Sequence, residues 1–224
     1  MKKGMLFVVQ ILLFPIPWIV RRRLLNFLPG FEIHKKARIG LSVLLADQTI
    51  MEEGALITHF TLVNSIDRLH MKSFSKMGKF NWITGANSKS KMFNDSKRKC
   101  ELILGVHTHI TGQHHIDCTG GVHIGEFTTL AGIRSQILSH SVDVTLSKQL
   151  AGPVRIGRYC FIGTASIILM GAELPDYSIL GAGAILNKKY SEPYQLYAGN
   201  PARMIKELNK ENAMYFHRDH GHVG

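Results

Sequence analysis

Residues 156–185 read IGRYCFIGTASIILMGAELPDYSILGAGAI, and within them a branched apolar residue returns every six positions, at Ile156, Ile162, Ile168, Leu174 and Leu180, with Leu186 next in line. A helix repeats its apolar face about every 3.6 residues and a half-buried strand every two, so a period of six belongs to a larger unit. Four residues after each of these comes Cys160, Ser166, Ala172, Ser178, Ala184 and Tyr190, mostly small. The unit this describes is a short strand with one inward side chain, followed by a corner that accepts little volume. Three such units close a triangular coil of about eighteen residues, stacked on the next at roughly the 4.8 Å spacing of paired strands.

The same phase is present near the start. Ile33, Ile39, Leu45, Met51, Ile57, Val63 and Leu69 keep it without a break, with Ala37, Val43, Thr49, Ala55, Thr61 and Ser73 as partners and Asp67 as the exception. Met77 and Ile83 resume it after a two-residue slip, and Leu104, Ile110, Ile116, Ile124 and Leu130 carry it through the middle. One coil alone buries almost nothing, so stability comes from stacking neighbours. A chance run of short sandwich strands does not hold phase over seven consecutive units.

The pattern resembles the hexapeptide-repeat acyltransferases of the left-handed parallel β-helix superfamily, over nearly the whole of residues 33–208. The handedness comes from that resemblance, since periodicity cannot give it and most parallel crossovers are right-handed. The nearest branch is the sugar O-acetyltransferases, including those that decorate bacterial polysaccharides. The expected fold is therefore all-β, a left-handed parallel β-helix over residues 33–200. An apolar, basic segment at 1–32 precedes it, loops leave it near 89–101 and 138–153, and a short helix and tail at 201–224 cover the last coil.

Composition fits one repeat domain with small terminal additions: 224 residues, 45% hydrophobic, three cysteines. Cys100, Cys118 and Cys160 lack metal-ligand spacing and imply buried thiols in a reducing compartment rather than a disulfide framework. A net charge of +11 calls for anionic partners. No helix-turn-helix, zinc-finger or aromatic RNA-binding pattern accompanies it, which leaves a CoA-type substrate or a membrane surface and no nucleic acid. The expected location is cytoplasmic, or peripheral on the inner face of the cell membrane.

The opening MKKGMLFVVQILLFPIPWIVRRRLLNFLPG has an apolar run from Met5 to Val20. That is shorter than the roughly 20 residues of a spanning helix, and Gln10, Pro15 and Pro17 interrupt it. No small-residue cleavage site follows, and Arg21, Arg22 and Arg23 come at once, against a cleaved signal peptide. Two compatible readings remain: a segment lying in the membrane interface, or an apolar cap on the open first coil. Further on, KSKMFNDSKRKCE at 89–101 breaks the phase and reads as a solvated cationic loop.

The hexad stops at Ile137 and resumes at Val154, and between them lies SQILSHSVD. In the galactoside and maltose acetyltransferases that the chain resembles, a histidine at this interval beyond an IG pair such as Ile124–Gly125 is the general base, a role that falls here on His140. Imidazole suits removal of a hydroxyl proton near neutral pH. The same resemblance puts Gln113 where the family binds the acceptor through asparagine. It gives Thr164, in CFIGTAS, the backbone amide that meets the thioester oxyanion. Phe161 stands in the pocket wall, Ala182 and Ala184 of GAGAILNKK along the pantetheine slot, and Lys188 and Arg203 of YAGNPARMIK at the CoA phosphates. Gly181 and Gly183 would let the donor approach closely. His114 and His115 are alternative cleft residues beside Gln113.

The implied activity is an acetyl-CoA-dependent O-acetyltransferase acting on a saccharide, as a homotrimer with sites between neighbouring helices and with no metal. An N-acetyltransferase acting on an amino or nucleotide sugar is the alternative. The fold also carries zinc-dependent carbonic anhydrases, for which His107, His109, His123 and His140 are the candidate ligands, and non-catalytic assembly proteins, which would not retain both His140 and AGNPAR.

Overall fold

The computed structural model describes residues 3–93 and 98–221. The chain winds as a left-handed parallel β-helix with three faces. The first face stacks seven strands from Phe31–Ile33 to Glu173–Leu174. The second stacks nine, from Arg38–Ile39 to Gln195–Ala198 and Arg203–Glu207, and the third stacks seven, from Val43–Leu45 to Ile185–Leu186.

The inward ladder on the first face runs Ile33, Met51, Met71, Leu104, Ile124, Ile156 and Leu174, each paired with the next. The two-residue slip therefore falls before Met71, not after Leu69. The corner from Val63 to Met71 is two residues longer than its neighbours, Ile66 fills it, and Leu69 is buried beside Thr49. This is why Asp67 departs from the small-residue column.

At the corner between the first and second faces, Phe74, His107, Phe127, Tyr159, Tyr177 and Tyr194 all have φ between 53° and 59°. Non-glycine residues rarely adopt this conformation. Here the rings stack in one continuous column at centroid spacings of 4.7 to 5.3 Å, and offset stacking offsets part of the backbone cost.

Two helices close the open first coil, α1 (Lys3–Leu12) and α2 (Trp18–Phe27), separated by Pro15 and Pro17. An exposed sheet edge leaves unpaired N–H and C=O groups, and side chains from the helices satisfy them. Gln10 Nε2 donates to Leu44 O (2.8 Å) and its Oε1 accepts from Leu44 N (3.0 Å). Asn26 does the same for Ile33 at 2.9 Å in each direction. Arg21 donates to Ile39 O and Gly40 O, and Trp18 Nε1 to Ala37 O. Gln10 thus does not interrupt an apolar run; it is the polar anchor of α1. Among the described residues no helix is long and apolar enough to cross a membrane.

The far end differs from the helix expected after Pro201. Arg203–Glu207 is a strand, antiparallel to Gln195–Ala198. The last coil also has an unpaired edge, and a strand satisfies it along its length where a helix cannot. The tail then turns back along the second face through a single helical turn at Met214–Phe216, where Tyr215 Oη donates to Cys160 O (2.9 Å). His222 lies outside the described residues. The loop expected at 138–153 is a regular hairpin, His140–Asp143 paired with Lys148–Ala151. The loop expected at 89–101 includes residues 94–97, outside the described residues; its described flanks contain a helical turn at Lys91–Phe93.

Candidate active site

His140 is the first residue of the hairpin, at the corner where the third face turns into the first. One coil earlier on the third face, the strand His115–Asp117 pairs with Gln136–Leu138, which sets Asp117 beside the start of the hairpin. His140 Nδ1 and Asp117 Oδ2 are 2.7 Å apart. Asp117 is 6% exposed at its side chain and His140 41%, so the carboxylate is internal and the imidazole reaches outward from it.

The carboxylate is held on all sides. Oδ2 accepts from Ser139 N and Ser139 Oγ, both at 3.0 Å, and Oδ1 from Thr119 Oγ1 (2.6 Å) and Thr119 N (3.3 Å). Ser139 Oγ also accepts from Gly120 N (2.8 Å). Every donor around Asp117 suits an acceptor-only group, which is the ionised carboxylate. His140 then carries its proton on Nδ1 and presents Nε2 as an acceptor, and no described residue hydrogen-bonds to Nε2. Phe93 packs edge-on against the ring at 6.0 Å, and the Arg98 guanidinium lies 4.6 Å from the Phe93 ring. Arg98 is fixed in turn by the carbonyls of Ala86, Asn87 and Thr119. Phe93 and Arg98, on the described flanks of the cationic stretch, therefore form a wall beside His140.

The other expected residues divide between two corners. Thr164, Ala182 and Gly183 stack in one column at the corner between the second and third faces, where Gly183 N donates to Thr164 O (2.9 Å). The Thr164 hydroxyl donates to Ile133 O (2.9 Å) and accepts from Ile133 N (3.0 Å). Gln113 lies in the same corner two coils earlier, at φ 60° and exposed. Arg203 pairs opposite Ala198 beside it. Ala184 points inward and is fully buried, and Ala182 is exposed. Gly181 is needed for stacking, since a Cβ there would sit 2.9 Å from the Ala198 Cβ. Gly183 has φ +68° with nothing within 4 Å of its would-be Cβ, an open backbone edge.

Lys188 sits at the opposite end of the third face, on the same corner as His140, with its ammonium 5.0 Å from the Tyr190 ring. The two corners of one chain are the width of that face apart, on the order of 20 Å at about 3.3 Å per residue. One chain thus does not bring Thr164 to His140. Phe161 lies on the second face, edge-on to Tyr215 of the chain's own tail at 5.9 Å.

The remaining histidines have other duties. His114 is buried, with Ser135 N donating to its Nδ1 (3.2 Å) and Thr111 Oγ1 2.9 Å from its Nε2; burial lowers its pKa to about 4. His115 stacks on Trp82 at 5.0 Å. His107 belongs to the aromatic column, His109 to the second face, and His123 pairs with Glu101 at 3.0 Å on the first. Among the described residues no three His, Cys, Asp or Glu side chains converge as metal ligands. Cys100, Cys118 and Cys160 are free and buried, and burial pushes the thiols of Cys100 and Cys160 up to about 12. A cleft of about 560 Å³ on the first face excludes His140, and both its arginines are paired, Arg158 with Asp176 (3.1 Å) and Arg155 with Glu173 (3.4 Å).

No family model matches the chain. Over 103 residues it is 31% identical to the galactoside O-acetyltransferase of Escherichia coli K12, covering 44% of this chain and 50% of that enzyme. Over 57 residues it is 37% identical to a chloramphenicol acetyltransferase of Agrobacterium fabrum, covering 25% and 27%. The chain spans about half the length, or less, of the curated relatives it matches. Among solved structures, the polysialic acid O-acetyltransferase OatWY shares the fold with a TM-score of 0.60 at 18% identity, over 79% of this chain and 83% of that one.

Proposed function

We propose that the chain belongs to the hexapeptide-repeat β-helix acyltransferases and is an acetyl-CoA-dependent O-acetyltransferase whose acceptor is a saccharide, an intermediate of surface-polysaccharide biosynthesis. The observation that carries this reading is the pairing of a half-exposed imidazole with a buried, fully hydrogen-bonded carboxylate, His140 on Asp117. That arrangement fixes the tautomer with Nε2 unprotonated, and a general base needs that lone pair.

The chemistry follows from it. His140 Nε2 takes the proton of an acceptor hydroxyl as its oxygen attacks the thioester carbonyl, and the carboxylate of Asp117 stabilises the imidazolium that forms. A backbone N–H at the Thr164 corner meets the oxyanion. Collapse of the tetrahedral intermediate breaks the C–S bond, and the imidazolium returns its proton to the leaving CoA thiolate. Acetyl-CoA would lie along the open backbone edge at Ala182 and Gly183, with Arg203 at its phosphates.

A homotrimer completes the site in this reading. The His140 and Lys188 corner of one copy would meet the Thr164 and Arg203 corner of the next. The hairpin supports this: Val142, Val144 and Leu146 stand exposed, Val144 at 88%, beside the catalytic histidine. The test is transfer of labelled acetyl from acetyl-CoA to a panel of sugars, nucleotide sugars and lipid-linked glycans, with the product bond identified by mass spectrometry and alkaline lability. An alkali-labile ester on a saccharide supports the reading. An amide product moves the chain to the N-acetyltransferases, and no acetylated product overturns both.

A further inference from the structure

The helical cap carries apolar side chains on its outer side as well as its inner one. A helix resting on a protein and facing water turns its apolar stripe inward and its polar face outward. In α1 and α2 the buried residues are Leu6, Gln10, Arg21 and Leu25, of which Gln10 and Arg21 are bonded to the first coil. The outward residues are Met5, Phe7, Val8, Ile11 and Leu12 on α1, and Ile19, Val20, Leu24 and Phe27 on α2. Leu12 is 68% exposed, Ile19 66% and Phe27 84%. These nine exposed apolar side chains all stand on the two helices that cover the end of the β-helix, a concentration of a kind that marks an interaction site.

Charge identifies what covers it. No carboxylate occurs before Glu32, while Arg23 is exposed on α2, and Lys35 and Arg38 are exposed on the coil beneath it alongside the exposed acid Glu32. Beside Trp18 lies a cleft of about 460 Å³ whose lining includes Arg38, His59 and Lys79 and no acidic residue. An apolar plane rimmed by cations, with a basic cleft at its edge, matches an anionic bilayer, where side chains enter the acyl boundary and phosphates meet the cations.

We propose that the cap docks onto an anionic membrane surface with the β-helix standing away from it, and that the acceptor is a saccharide carried on a lipid anchor; the second part rests on the transferase reading. The strand His115–Asp117 is the fourth on the third face, counted from the cap, and the strand leading to His140 is the fifth. At about 4.8 Å per coil the dyad stands roughly 20 Å above the first coil. That height suits a sugar held off the membrane by its anchor and excludes one lying among the headgroups. In a trimer with parallel helices three caps share one plane, which multiplies a weak single contact.

The test is co-sedimentation of the full chain with neutral phosphatidylcholine vesicles and with vesicles containing phosphatidylglycerol, at low and high salt. The exposed triple variant Leu12→Glu, Ile19→Glu, Phe27→Glu, checked for unchanged melting, and the pair Arg38→Ala, Lys79→Ala are run beside it. Binding to anionic vesicles is expected to fall at least tenfold in the triple variant, and to fall both with salt and in the Arg38/Lys79 pair. Wild-type binding by the triple variant, or no vesicle binding with cap-dependent self-association instead, overturns the docking; equal binding to neutral vesicles overturns the role of the cations. For the acceptor, one saccharide is offered free and on a lipid anchor. Transfer at least tenfold more efficient to the anchored form, lost in the triple variant, is the expected result. Equal transfer to both overturns the anchored acceptor and leaves the transferase reading standing, whereas transfer to neither defeats the transferase reading while vesicle binding still decides the docking.

Discussion

Replacing Asp117 by Asn keeps the side chain's size and removes its charge, and the geometry around it sets the outcome. Oδ2 accepts three hydrogen bonds, from Ser139 N, Ser139 Oγ and His140 Nδ1, and Oδ1 accepts two from Thr119. An amide offers one acceptor oxygen, so its NH2 must face donors on one side or the other. If it faces His140, the ring is driven to the tautomer in which Nδ1 accepts and Nε2 carries the proton, and the base is gone. If it faces Thr119, the amide oxygen still accepts from His140, which keeps its tautomer, but the bond is neutral instead of charge-assisted, a weakening of about 1–1.5 kcal/mol. At about 1.36 kcal/mol per tenfold, that corresponds to roughly a 5- to 13-fold fall in kcat. The tautomer change extends the loss toward the hundredfold to ten-thousandfold of a missing general base. Donors left unpaired in the buried pocket should also cost about 1–3 kcal/mol of stability. The assay is CoA thiol release at saturating acceptor, with acetyl-CoA affinity and urea denaturation measured on the same preparation. Wild-type kcat within a factor of two, in a variant that binds acetyl-CoA normally, would refute the dyad.

Further outcomes follow from the same structure. Arg203→Ala should weaken acetyl-CoA binding while sparing more of the rate at saturation; unchanged affinity by calorimetry removes Arg203 from the donor site. Sedimentation of the wild type should give a trimer, because His140 and Thr164 lie on different corners of one chain, and a fully active monomer contradicts an intersubunit site. The His114 pKa is lowered to about 4, so the unfolded imidazole takes up a proton near 6.5 that the folded one refuses. Stability present above pH 6.5 should therefore be lost as the pH falls toward 4. Urea midpoints across that window should fall more steeply for the wild type than for His114→Asn, and equal slopes would contradict the assignment.

The winding of the chain was legible because one inward position per face is filled by a large apolar residue, branched except at Met51, Met71 and Met77, on coil after coil from Ile33 to Leu186. His140 stands out in the sequence by its place where that pattern stops and by the family interval from Gly125. Its hydrogen-bond partner Asp117 does not stand out. It occupies an outward position of an ordinary hexad, HIDCTG, where a polar residue reads as solvated. It gains its role only when the next coil lays Gln136–Leu138 beside it and Ser139 covers it. The available signal was an acid one coil length before the histidine. The segment after Pro201 misled because ARMIKELNKENA has helical spacing, whereas the unpaired edge of Gln195–Ala198 selects a strand, a tertiary demand that local pattern does not contain. Gln10 misled in the opposite direction, since a polar residue in an apolar run looks like an interruption until the Leu44 backbone is seen opposite it.

The account turns on His140 acting as the base of an acetyl transfer, and the most direct measurement is turnover of His140→Ala on an acceptor that the wild type acetylates. The His140 side chain is 41% exposed and its ring bonds only to Asp117 among the described residues, so the fold should survive its removal. The prediction is a fall in kcat of about a hundredfold to ten-thousandfold, with acetyl-CoA affinity and melting temperature near those of the wild type. Turnover close to wild type would contradict it.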